Sequence, residues 1–275
     1  MLFKELGRFS SFLGFVKGTR VGFGHLEGEK EDAITGLRLV GFSKSDGLKA
    51  PSNWYFASMS KELPTLFQSY LAVMDSESGR KNFGRAINYY KASNTAQSDN
   101  TEIALLIGMA GLEALAFHVL HDNGGWSADL LKRATLADML RATARLLSID
   151  DDPVRHAPPL MAWISAASKP GFDGFNVLAE FRNGLTHPVT NFSYDGQKLL
   201  HAWFASQWLL EVLMLAYLGY RGKYQDRRKQ LGGWAGTLVD MPVRDRAGGG
   251  RVASRLADAP EGPVVPPGVG PPRAP

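Results

Sequence analysis

From residue 63 to 220, apolar positions recur at intervals of three and four, the pattern of helices that bury one face. Leu66, Tyr70 and Val73 keep that spacing, and so do Phe83, Ile87 and Tyr90. Residues 103–120 are apolar almost all round, which predicts a helix buried on most sides. Asp99 followed by Glu102 resembles a capping box at its start. Ser127 is placed to cap a helix that runs through Leu130, Leu131, Met139, Leu140, Leu146 and Leu147.

The acidic, proline-rich stretch 150–159 predicts a loop, followed by a short helix over 160–167 that Lys169-Pro170-Gly171 ends. Asp173 is placed to cap a helix from Gly174 to about Thr186. His187 precedes Pro188, and a proline disfavours helical geometry in the residue before it, so the helix stops there. Residues 191–196 read as a turn, and a long helix over 197–220 closes the bundle. That last segment approaches a membrane span, but Gln207 and Glu211 interrupt it. A charge at the centre of a lone span costs roughly 2.5–3.5 kcal/mol, which favours a buried bundle helix.

The two flanks differ in texture. Residues 1–60 are punctuated by glycine, and short apolar runs at 21–23, 37–42 and 54–56 predict a few short strands. Lys4, Glu5 and Arg8 break up the start, which does not read as a signal peptide. From 243 onward glycine and proline dominate, with too little apolar surface to fold, so 243–275 is expected to be a disordered tail. The predicted class is mainly α: a helical bundle over 61–230 with a small β-containing N-terminal part and that tail.

The chain has 275 residues, 44% hydrophobic and 21% charged, enough to bury a sizeable core. It contains no cysteine, which excludes disulfides, thiolate metal sites and a cysteine nucleophile, and fits a cytoplasmic setting. A net charge of +4 permits a polyanionic partner without demanding one.

Candidate chemistry centres on Glu180-Phe181-Arg182-Asn183-Gly184-Leu185-Thr186-His187. On a helix Asn183 and His187 lie about 40° apart and share a face, whereas Arg182 and His187 are about 140° apart. The long arginine stem and the terminal position of the histidine still let one phosphate reach both. Arginine's planar fork binds phosphate oxygens and keeps its charge, and histidine exchanges protons near neutral pH. RNA supplies its own nucleophile in the 2′-hydroxyl, so these groups suit phosphodiester cleavage without metal or cofactor. The bland reading is that Arg182 and His187 complement the helix dipole, worth about 0.3–1 kcal/mol each. A second arginine–histidine pair at the same spacing, Arg20 and His25, sits in glycine-rich sequence and lacks the asparagine.

Arg182-Asn183-Gly184-Leu185-Thr186-His187 resembles the arginine–polar–three–histidine motif of HEPN domains. Ala110-Gly111-Leu112-Glu113-Ala114-Leu115 resembles the first long helix of that superfamily. Ala86-Ile87-Asn88-Tyr89-Tyr90-Lys91-Ala92, together with Gly219-Tyr220-Arg221-Gly222-Lys223-Tyr224-Gln225-Asp226-Arg227, is similar to its ApeA-like prokaryotic branch. The resemblance covers about residues 80–230. It implies a HEPN-like bundle that pairs as a homodimer and cuts RNA, with a role in bacterial stress or phage defence. Carried over by position, Arg182 binds the scissile phosphate, His187 is the acid/base, Asn183 orients, and Glu113 supports. A non-catalytic HEPN module that binds RNA or a nucleotide, or a regulatory dimerisation protein, is the competing expectation.

Three further features carry expectations. Arg221, Lys223, Arg227, Arg228 and Lys229, interleaved with Tyr220 and Tyr224, suit single-stranded RNA as readily as they suit a solvated helix end. Glu113 with His118 and His121 lacks the usual catalytic zinc spacing and is expected to be core or helix end. Glu211, in its apolar run, is expected to have a structural partner.

Overall fold

The structure, a computed structural model, describes residues 2–30, 33–40, 53–167, 169–187, 192–229 and 236–244. It is mainly helical. In chain order the elements are α1 (Leu2–Lys17), β1 (His25–Lys30), β2 (Ala33–Val40), α2 (Leu63–Asp75), α3 (Gly84–Ala96), α4 (Thr101–Asp122), α5 (Ala128–Arg133), α6 (Leu136–Leu146), α7 (Pro158–Ala167), α8 (Gly174–Thr186), α9 (Gly196–Tyr217), β3 (Lys223–Gln225) and β4 (Leu238–Asp240).

The expected bundle is present, and its centre is α9 packed on α4, with α3 against both of them. Every residue of α9 from 202 to 217 is buried, so its apolar run is a core helix. α4 and α9 both have the length and apolar character of a membrane span, yet 89% of the most apolar window of α9 lies inside the protein. Gly108 lets α9 approach α4 closely, since a Cβ there would stand 2.4 Å from the Gln207 side chain. The capping predictions hold at Ser127 and Asp173. At α4 the cap is Asn100, one residue beyond the expected Asp99, with its side-chain oxygen accepting from the Ile103 N–H at 3.0 Å. The helix expected across 127–147 is two helices, because Thr135 takes an extended conformation and caps α6 through the Asp138 N–H.

The N-terminal part is the larger departure. Residues 2–17 of this β-containing region form a helix that the sequence reading did not place, and 21–23 and 54–56 form no strand. Phe12, Phe15 and Val16 recur at helical spacing and bury against α2 and α3, so this segment shares the bundle's core. Trp54 joins them, its indole N–H donating to the Phe15 carbonyl. Among the described residues of this part, β1 and β2 supply the expected β character, as an antiparallel hairpin with an irregular register between Glu27 and Glu29; residues 41 and 42 of the expected 37–42 run lie outside the described residues.

At the other end β3 and β4 pair antiparallel, Tyr224 opposite Val239. The ordered chain continues through Val243, which bridges to Ile149, and Arg244, which pairs with Asp150. The expected tail therefore starts too early at 243; residues 245–275 lie outside the described residues.

One polar cluster in the core sets an acid limit. The His118 ring is buried and meets Asp122 at 2.7 Å, with Ser78 and His121 bonded to the same carboxylate and the Tyr217 ring against its edge. Burial lowers the His118 pKa from its ordinary 6.5, against the upward pull of Asp122. The unfolded chain then binds this proton more readily, so stability falls as pH drops from about 6.5 toward the lowered value. Thermal unfolding of the wild type is expected to lose more between pH 7 and 5.5 than that of His118→Phe; parallel profiles would remove His118 as the cause.

Candidate functional site

α8 is built to hold its C-terminal end firmly. At its start Asp173 accepts from the Phe175 and Asn176 N–H groups in a capping box, and Arg141 braces that carboxylate at 2.9 and 3.0 Å. Val177, Leu178 and Phe181 are buried and fix the rotation of the helix. That rotation turns Asn183 and His187 out to solvent and leaves Arg182 partly exposed. His187 is the C-cap, with φ −123° and ψ 83°, and its N–H donates to the Asn183 carbonyl at 2.9 Å. The expected helix stop is thus where the sequence placed it, although Pro188 itself lies outside the described residues.

The side chains of Arg182, Asn183 and Glu113 come together directly. Arg182 donates to the Asn183 side-chain oxygen at 3.2 Å and reaches Glu113 on α4 at 3.6 Å. The pair is open to water, with 36% of the Arg182 and 47% of the Glu113 side chain exposed. Such a pair contributes at most about 1 kcal/mol, so an arriving phosphate can take the guanidinium over at little cost. His187 stands one turn beyond Asn183 on the same solvent-facing side. The arrangement offers a fork for phosphate oxygens, an amide to orient and an imidazole at the helix tip.

Gly184 has a mechanical reason to be glycine. A Cβ there would fall 2.2 Å from the Phe192 ring, which packs over the helix at this point. Phe192 also meets Phe181 edge-on at 5.2 Å, and Trp163 and Tyr194 surround it. This aromatic group escaped the sequence reading, because Phe192 and Trp163 stand on opposite sides of α8 in the chain.

The basic cluster is corrected. Tyr224, Arg227 and Arg228 are buried and cannot present an RNA surface. Arg227 grips Glu211 in two hydrogen bonds, one of them from Nε at 3.0 Å, and lies 5.4 Å from the centre of the Trp203 ring. Tyr90 donates to the same carboxylate at 2.6 Å. Burial raises the Glu211 pKa even against Arg227 and Tyr90. Arg228 lies 3.4 Å over the Trp208 ring and pairs with Asp151 and Asp226 at 2.7 Å. Tyr224 accepts from the Trp208 indole. The physical reason is that Glu211, alone in an apolar helix, needs a cation, and the turn after α9 returns one to it. Arg221, Lys223 and Lys229 remain exposed, and Arg221 caps α9 through the Ala216 and Tyr220 carbonyls.

A cavity of about 590 Å³ lies at the opposite end of α8, lined by Arg141, Arg145, Asp150, Asp152, Arg155 and Phe175 among others. Its aspartates are already engaged: Asp150 by Arg244, and Asp152 by the Gly174 and Val154 N–H groups. Among the described residues no three of His, Asp or Glu are arranged to hold a metal ion.

A family model described as the YopA C-terminal domain matches residues 76–240, which takes in α3 through β4 and every candidate site residue. The SPbeta prophage-derived uncharacterized protein YopA of Bacillus subtilis (strain 168) is 25% identical over 221 residues, 79% of this chain and 48% of that protein. The chain therefore spans about half the length of that relative. No solved structure matches the chain.

Proposed function

For a chain that belongs to the YopA C-terminal domain family, we propose a metal-independent endoribonuclease of HEPN type, acting as a homodimer in the cytoplasm. The observation that carries this reading is the convergence of Arg182, Asn183 and Glu113 at the open end of α8, with His187 one turn beyond. Arg182 binds the non-bridging oxygens of the scissile phosphate, leaving Glu113 to do so. Asn183 orients the phosphate or the imidazole. His187 takes the proton from the 2′-hydroxyl as that oxygen attacks phosphorus. The bond from phosphorus to the 5′-oxygen breaks, the departing oxygen takes a proton from water, the imidazolium returns its proton to solvent, and a 2′,3′-cyclic phosphate remains.

The homodimer is supported by an uncovered face of α4. Ile103 is 51% exposed and Phe117 39%, and Leu130 at the start of α5 is 48% exposed. Only 61% of the apolar window of α4 is buried, against 89% in α9. Glu113 lies on this same helix, so a second copy covering the face would bring two α8 tips near one cleft. The prophage origin of the Bacillus subtilis relative supports a link to phage biology.

Arg182–Glu113 contact also suits a second reading, a non-catalytic RNA- or nucleotide-binding module in which the pair is a latch between helices. Incubation of single-stranded RNA with the protein in EDTA separates the two. Cyclic-phosphate products, absent when the RNA carries 2′-deoxy sugars, support the enzyme; tight binding without products supports the module. Sedimentation equilibrium at micromolar concentration is expected to show a dimer, and a clean monomer would sink the composite cleft.

A further inference from the structure

Beside the candidate catalytic face lies an aromatic shelf whose chemistry is unspent. Among the described residues, the fully buried tryptophans Trp54, Trp203 and Trp208 each donate their indole N–H within the protein, to the Phe15 carbonyl, Ser93 and Tyr224 respectively. Trp163 on α7 is partly exposed, and no described residue accepts from its indole. Its ring stands edge-on to the buried Phe181 at 5.3 Å and tilted against Phe192 at 5.7 Å. Phe192, also partly exposed, is seated on Gly184, which follows Asn183 directly. On α8, Gly184 and His187 are about 60° apart, so shelf and imidazole occupy adjoining faces of one helix turn. Tryptophan and tyrosine left half-buried with an unused polar edge mark surfaces that take a flat, amphipathic partner.

We propose that Trp163, backed by Phe192, is the stacking platform for a nucleobase next to the scissile phosphate. The inference rests on the ribonuclease reading and names its substrate class: single-stranded RNA with an unpaired base beside the cut. Every base has a π-face, so such a platform is tolerant of sequence but excludes a base held in a duplex. Around the exposed side of α8 the imidazole lies between the shelf on Gly184 and Arg182, so a strand running from Trp163 toward the guanidinium passes His187. Trp163 is here a positioning residue, expressed in KM more than in kcat.

Binding of a short oligoadenylate to the full chain, followed by fluorescence anisotropy, tests this. Trp163→Ala is expected to weaken binding about 5- to 150-fold, the usual range for loss of one base–aromatic stack. Trp163→Phe should keep most of the affinity. Trp163→Leu, which preserves apolar contact with Phe181 but has no ring, should resemble Trp163→Ala, and its melting curve guards against simple unfolding. An abasic ribose-phosphate oligomer of equal length should bind the wild type weakly and be indifferent to all three substitutions. If oligoadenylate and abasic oligomer bind alike while cleavage persists, the shelf is refuted and the nuclease stands. If the wild type neither binds nor cuts either oligomer, both fall together.

Discussion

Arg227→Met is expected to lower the unfolding free energy by about 3–5 kcal/mol, the usual result of removing one partner from a fully buried ion pair. Both side chains of the Arg227–Glu211 pair have 0% exposure, so the orphaned carboxylate finds no water. Tyr90 alone would remain to hydrogen-bond it. Urea denaturation at pH 7 measures the loss. The sign with pH is the reverse of His118. Burial already raises Glu211, and removing the arginine raises it further, so the folded form binds the proton more tightly than the unfolded form. The deficit of Arg227→Met should therefore shrink as pH falls toward 5. Replacing both residues, Arg227→Met with Glu211→Leu, should recover most of the stability because no buried charge is left unpaired. A loss below about 1 kcal/mol in the single variant would contradict the burial of this pair.

Arg182→Ala is expected to lower kcat/KM for RNA cleavage by about 10²–10³-fold, the effect of deleting one fixed donor to developing negative charge. Arg182→Lys should recover only part, since an ammonium supplies the charge without the planar fork. Stability should hardly change in either variant, because the Glu113 contact is open to solvent. Unaltered cleavage in Arg182→Ala would assign the residue to helix packing alone. A fall in activity matched by an equal fall in melting temperature would point the same way.

Local chemistry made much of this site legible. Asp173, Gly174 and the His187-Pro188 step set the ends of α8, because caps and proline constraints act within a few residues. The apolar run of α9 was readable as core from Gln207 and Glu211, and the buried Leu66, Tyr70, Ile87 and Tyr90 followed from their spacing. The partner of Glu211 was not readable, since Arg227 stands in a polar stretch that looks like a solvated helix end until the chain turns back. Glu113 meets Arg182 only through the packing of α4 on α8, a contact no local pattern records. Gly7 and Gly14 masked the helical spacing of Phe12, Phe15 and Val16 in α1. The shelf was missed for the same reason: Trp163 and Phe192 look like isolated aromatics until Phe192 packs on Gly184 with the Trp163 ring beside it.

Cleavage of single-stranded RNA in EDTA by wild type and by His187→Ala, with circular dichroism confirming equal helicity, is the most direct measurement. A drop of about 10²–10⁴-fold on losing the imidazole, with the fold intact, is what general acid–base catalysis at the tip of α8 requires. Equal rates in the two proteins, or no cutting by the wild type at any enzyme concentration that forms the dimer, would contradict it.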